Sequence, residues 1–185
     1  AVGAVQGYFG GLIDLIGQRL IEVWGGMPVL FILIILASIV PPTFWLLLGL
    51  LLLFSWTALV GVVRAEVLRG RNFEYVKAAR ALGVPNATIM FRHVLPNTLS
   101  PIFVISTVQI ANAIISEAAL SFLGLGMPET HPSLGSLIKA GFDYIQSGSW
   151  WITLIPGAVL VVLVLSINLL GDWLRDVMNP RLYKG

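Results

Sequence analysis

Two groups of residues in this chain have types and spacings suited to chemistry. The first is Ser106, Gln109, Asn112 and Ser116, with Glu117 following directly. At about 100° per residue these four fall within roughly a third of a helix circumference. Polar groups in an apolar helix are costly unless they meet water, a solute or another helix. The stripe therefore admits two readings, the lining of a polar path or hydrogen bonding between helices. Glu117 reads as a gate or solute contact, or as a carboxylate reaching water at the helix end. The second group is the polar stretch from Arg64 to Pro96, which includes Glu74, Tyr75, Lys77, Ala78, Ala79, Arg80, Leu82 and Gly83, then Leu95 and Pro96. Its chemistry is that of a contact surface. Catalytic readings fail. A Gly-x-x-x-x-Gly-Lys-Ser/Thr loop is missing, so ATP binding of the P-loop kind is excluded for this sequence. Leu170-Gly171-Asp172 lacks the preceding Gly and the second Asp that intramembrane aspartyl proteolysis would require. A serine protease would need a His near its Ser, and neither His93 nor His131 falls in an apolar run. With no cysteine and two separated histidines, we expect no catalytic residues and no metal site.

The elements that must hold these groups are apolar helices. Hydrophobic residues make up 57% of the 185 and charged residues 11%, against about 25% charged in soluble domains. Four windows carry no charge, Val23–Val40, Thr43–Val63, Asn97–Ser116 and Trp150–Gly171. Each is close to the roughly 20 residues that cross a bilayer as a helix, and lipid leaves the backbone no partner but its own chain. The basic residues orient the windows. Arg19, six Lys/Arg between Arg64 and Arg92, and Arg175, Arg181 and Lys184 share one side, leaving Lys139 alone on the other. The positive-inside rule makes the first side cytoplasmic, the C-terminus included, and residues 121–149 external. The small net charge of +2 hides this segregation, and nothing in it points to nucleic acid.

Local signals divide the chain further. Residues 1–13 are too short to span and read as the cytoplasmic end of an earlier helix, with Gly7-Tyr8-Phe9-Gly10-Gly11 a loop or turn. The start, without Met or a signal-peptide pattern, suggests a single membrane domain over 1–185 that is N-terminally incomplete. Residues 12–22 form an amphipathic lead-in, where Asp14 and Arg19 are out of register for a pair. Gly25-Gly26-Met27-Pro28 interrupts the first span, and Pro41-Pro42 ends it. Tyr75, Ala78, Ala79 and Leu82 make one apolar stripe, and Gly83 suits a helix end with left-handed backbone. Pro85 opens a second short helix, which Pro96 stops. The external segment has a helical pattern around Leu134–Ile145. By these local physics alone, the stretch 64–96 is either a docking surface or an ordinary basic loop.

Four blocks of sequence carry a resemblance. Glu74 to Gly83 with His93-Val94-Leu95-Pro96 resembles the "EAA" loop of ABC importer permeases, departing at Lys77, where that motif has Glu. Gly7-Tyr8-Phe9-Gly10-Gly11, Leu120-Ser121-Phe122-Leu123-Gly124-Leu125-Gly126, and Asn168 to Asp176 with Asn179-Pro180 are similar, in the same order, to blocks of the dipeptide, oligopeptide and nickel branch. The resemblance covers essentially the whole chain. It implies an all-α, type I importer permease with four complete spans and the end of an earlier one. It implies a coupling loop over 64–96 that docks the membrane subunit onto its ATPase, one of two ATPase subunits that would hold ATP and Mg, with no cofactor on this chain. A second permease subunit, an external substrate-binding protein and a bacterial-type inner membrane are further implications. A non-transporting helical scaffold, or a secondary transporter, which commonly shows ionisable residues or broken helices near mid-membrane, are the alternatives.

Overall fold

The computed structural model describes residues 1–41, 43–127 and 131–178. Among these, every regular element is helical: α1 (Val2–Phe9), α2 (Gly11–Gly25), α3 (Val29–Ile39), α4 (Phe44–Gly70), α5 (Glu74–Ala81), α6 (Asn86–Thr88), α7 (Leu99–Phe122), α8 (Leu134–Phe142) and α9 (Trp151–Val177), with short π and 3₁₀ segments between them. Three of these, α4, α7 and α9, are long and apolar enough to cross a membrane. A fourth crossing requires Gly11–Gly25 and Leu30–Leu36 to count as one broken span.

That break falls at the expected interruption, Gly25-Gly26-Met27-Pro28, and corrects only the reading of the first window as one helix through a tolerated Pro. Pro28 stands at the N-cap of α3. It lacks an amide hydrogen and disfavours helical backbone at Met27, so the helix stops rather than tolerating the interruption. The 11 residues of α3 extend only about 16 Å. A second correction concerns Gly7-Tyr8-Phe9, which belong to α1, the turn being confined to Gly10 and Gly11. A third concerns the end of the coupling stretch. Ile89–Val94 forms a π-helix and Leu95–Thr98 a 3₁₀ turn that leads directly into α7. Pro96 therefore does not stop a helix. It lies in the first turn of the 3₁₀ segment, where no amide hydrogen is needed. Pro42, Pro128, Asn179-Pro180, Arg181 and Lys184 lie outside the described residues.

The chain forms two compact units. One comprises residues 1–26, 55–106 and 171–185, the other 27–54 and 107–170. In the first, α1 lies against α4 with almost no side chain between them. A Cβ on Gly3 would stand 2.4 Å from the Val60 carbonyl oxygen, and one on Gly7 2.6 Å from that of Arg64. This small-x-x-x-small spacing lets helix backbones meet. Ala4 and Tyr8 from α1 then join Val67, Val76, Ile89, Met90 and Val94 in a buried cluster. Asp14 of α2 accepts two hydrogen bonds from Arg64 of α4, from Nε at 2.5 Å and Nη2 at 2.7 Å. Arg19 pairs within its own helix, with Glu22.

In the second unit Leu33, Leu47, Leu50 and Leu120 form the core. Here α8 packs by its glycines. A Cβ on Gly135 would lie 2.3 Å from the Ala118 carbonyl oxygen of α7, and one on Gly141 2.6 Å from the backbone of Ile152 in α9. Ser133 caps α8, its hydroxyl accepting from the Ser136 amide.

Candidate functional site

The short helix α5 has two apolar faces with different fates. Val76 is wholly buried, and Ala79 packs half-buried against the same cluster. Tyr75, Ala78 and Leu82 point outward, Leu82 being 83% exposed. The stripe expected from spacing thus splits. Ala79 holds the helix to its own chain, whereas Tyr75, Ala78 and Leu82 present an exposed apolar strip. Glu74, Lys77, Arg80 and Gly83 are exposed beside it, with Pro96 exposed and Leu95 half-buried against the cluster. An isolated apolar residue on a surface is ordinary. An apolar strip with charge along one side, on a helix anchored from behind, has the form of a contact surface.

The bend after α5 has a definite geometry. The Gly83 amide donates to the Arg80 carbonyl at 2.9 Å and the Val84 amide to that of Ala79 at 3.1 Å. Gly83 itself has φ +75. These are the paired bonds of a Schellman turn. A β-carbon on Gly83 would meet no atom within 4 Å, so only the backbone argues for glycine there. We expect Gly83→Val to lower stability by about 1–2 kcal/mol, measurable as a shift in the thermal unfolding of the purified complex. An unshifted transition would show that the turn relaxes elsewhere.

The turn is braced by α1. Tyr8, 4% exposed, donates its hydroxyl to Asn86 Oδ1 at 2.9 Å, and the Arg80 guanidinium lies 5.2 Å from its ring centroid. Arg71 Nη1 donates to the carbonyls of Gly7 and Tyr8, both at 3.2 Å, closing the C-terminal end of α1. On the far side Asn97 Nδ2 donates to the His93 carbonyl at 2.7 Å and to the Tyr75 hydroxyl at 3.3 Å. Tyr8, Asn86, Asp14 and Arg71 were not singled out by spacing, because their partners lie 50 to 78 residues away.

With this geometry in view, the comparison with known proteins is decisive. Residues 1–184 match the family of binding-protein-dependent transport system inner membrane components. The chain belongs to that family. It is 49% identical over 179 residues to the peptidoglycan transport system permease protein YejE of Agrobacterium fabrum, covering 97% of this chain and 46% of that protein. It is 44% identical to the inner membrane ABC transporter permease protein YejE of Escherichia coli over 96% of this chain and 52% of the relative. With the dipeptide transport system permease protein DppC of Bacillus subtilis the identity is 37%, over 97% and 56%. The chain thus spans about half the length of these relatives.

For this inner membrane component the polar stripe of α7 is the natural place to look for a path. Ser106 Oγ donates to the Ile102 carbonyl at 2.7 Å and Ser116 Oγ to that of Asn112 at 2.8 Å, both back along their own helix. Asn112 Nδ2 donates to Gln109 Oε1 at 3.3 Å. These bonds satisfy the serines locally and leave both path and helix-contact readings available to the amides. If Gln109 and Asn112 line a path, changing both to Leu is expected to lower transport while assembly persists. If they join helices, the same change lowers thermal stability by about 0.6–2 kcal/mol per bond with transport per folded complex retained.

Glu117 is half-buried and not free. Ser121 Oγ donates to its Oε1 at 2.6 Å and accepts from the Met127 amide at 3.1 Å. This clasp sits on a second Schellman turn, where Gly124 has φ +79 and the Gly124 and Leu125 amides donate to the carbonyls of Ser121 and Leu120. The block Leu120 to Gly126 is therefore a built helix terminus. Among the described residues no three His, Asp or Glu side chains converge as a metal site would require.

Proposed function

We infer that this chain is membrane-spanning permease sequence from an ATP-driven importer of peptides or a related small solute. The observation that carries the reading is the exposed strip Tyr75, Ala78 and Leu82 on a helix whose opposite face is buried, in a chain of this family. One of two ATPase subunits, which hold ATP and Mg, docks on residues 64–96. Their closure pushes α5, and the Tyr8 brace passes the displacement to α1 and the helices packed on it. A second permease subunit completes the path, lined by Ser106, Gln109, Asn112, Ser116 and Glu117, and an external binding protein delivers solute. The peptide class follows from the relatives, which are named for peptidoglycan and dipeptide transport.

The reading places the chain in a bacterial inner membrane as one permease domain of four spans plus the end of an earlier one. Residues 64–96 and 172–185 are cytoplasmic and 121–149 external. The chain has no native cysteine, so single-cysteine labelling tests this directly. Lys77→Cys is expected to resist a membrane-impermeant thiol reagent in intact cells and to react in inside-out vesicles. Labelling from outside would overturn both the topology and the docking role.

A further inference from the structure

Beside the brace around Tyr8 lies an open pocket of about 500 Å³, lined by Tyr8, Phe9, Arg71, Asn72, Arg80 and Asn86. It belongs wholly to the first compact unit. Among the described residues, neither arginine forms a salt bridge, and no carboxylate lines the cavity. Asp14, whose charge couples to that of Arg71, is itself bonded to Arg64.

Both arginines are held in place before any ligand arrives. Two backbone carbonyls fix Arg71 through one terminal nitrogen, and Arg80 stacks on a buried ring. Asn86 accepts from Tyr8 through Oδ1, which leaves its amide NH₂ as a donor. Ordering these side chains in advance lowers the entropic cost of binding, and a pair of guanidinium groups matches the oxygens of a phosphate.

We propose that this cavity binds the phosphate group of an anionic phospholipid, clamped between Arg71 and Arg80. Position favours a lipid head group over free phosphate. Arg71 immediately follows the apolar helix α4, and Phe9, Leu12, Ile16 and Leu20 beside the cavity or on α2 are exposed apolar side chains able to lie along acyl tails. Basic pockets at the cytoplasmic ends of membrane helices are suited to such head groups. The inference rests on the membrane placement of these helices and not on the docking role of α5.

The test is lipid retention by the assembled transporter. The complex, purified in detergent, is exchanged against mixed micelles of phosphatidylglycerol and phosphatidylcholine and its bound lipid counted by native mass spectrometry. We expect selective retention of phosphatidylglycerol, reduced about fivefold by Arg80→Gln and further by Arg71→Gln. Because Arg71 also closes α1, the exposed Arg80, which gives up only its contact with the Tyr8 ring, is the primary variant. Free inorganic phosphate that displaces the lipid only weakly would support a lipid site, whereas full displacement at millimolar phosphate would overturn it. Equal retention of the two lipids, or no change in Arg80→Gln, would also overturn it. So would an Arg80→Gln complex that sheds its ATPase without having held lipid, the result expected if an acidic ATPase segment fills the cavity. Failure here would leave the Lys77→Cys labelling result untouched.

Discussion

Ala79→Asp is expected to unseat α5 from its own chain, whereas Ala78→Asp, one residue away, is expected to leave the fold intact and remove ATPase binding. Ala79 packs against the cluster of Val76, Ile89, Met90 and Val94. A carboxylate there would lose water without gaining a partner, at a cost of about 3 kcal/mol or more. Ala78 faces outward, and a charge on it touches nothing within the chain. In the proposed complex it would be desolvated against the ATPase, and the loss should appear entirely in binding. Thermal unfolding and subunit pull-down on both variants separate the effects. Ala79→Asp should lower the unfolding temperature, and Ala78→Asp should preserve it while abolishing co-purification and substrate-stimulated ATP hydrolysis. Normal coupling in Ala78→Asp would remove the docking assignment for residues 74–96, whatever Ala79→Asp did.

Gly7→Leu is expected to have a comparably large effect on stability. The first added carbon would stand 2.6 Å from the Arg64 carbonyl oxygen and 3.1 Å from Val67 Cβ. The obstacle on one side is backbone, so no rotamer relieves it, and α1 must lift from α4. We place the cost near 3 kcal/mol, at the upper end of overpacking, with the Arg71 bonds to Gly7 and Tyr8 strained as well. Gly11→Leu is the control, since a β-carbon there meets nothing within 4 Å, although its φ of +58 adds a smaller backbone penalty. Loss of the folded complex in Gly7→Leu and its survival in Gly11→Leu would confirm that contact, and not backbone conformation, governs this end of the chain. Equal damage in both would refute it.

Much of this was legible in the residues. Apolar windows of membrane length became α4, α7 and α9, because a long uncharged run has few other ways to satisfy its backbone in lipid. Gly83 was readable as a left-handed helix end because that requirement is local and nearly specific to glycine. The order of four sequence blocks pointed to the permease family. Other features depended on partners far along the chain. Spacing grouped Ala79 with Tyr75, Ala78 and Leu82 on one stripe, but cannot say which edge of a stripe the protein itself covers. Only the packing of the π-helix and α1 turned Val76 and Ala79 inward. The Gly3 to Gly7 spacing was visible, yet its partner helix was not. Asp14 found Arg64 across 50 residues rather than Arg19 across five, because helix packing sets which charges meet. Periodicity therefore determined which faces existed, and tertiary contact decided which of them remained free.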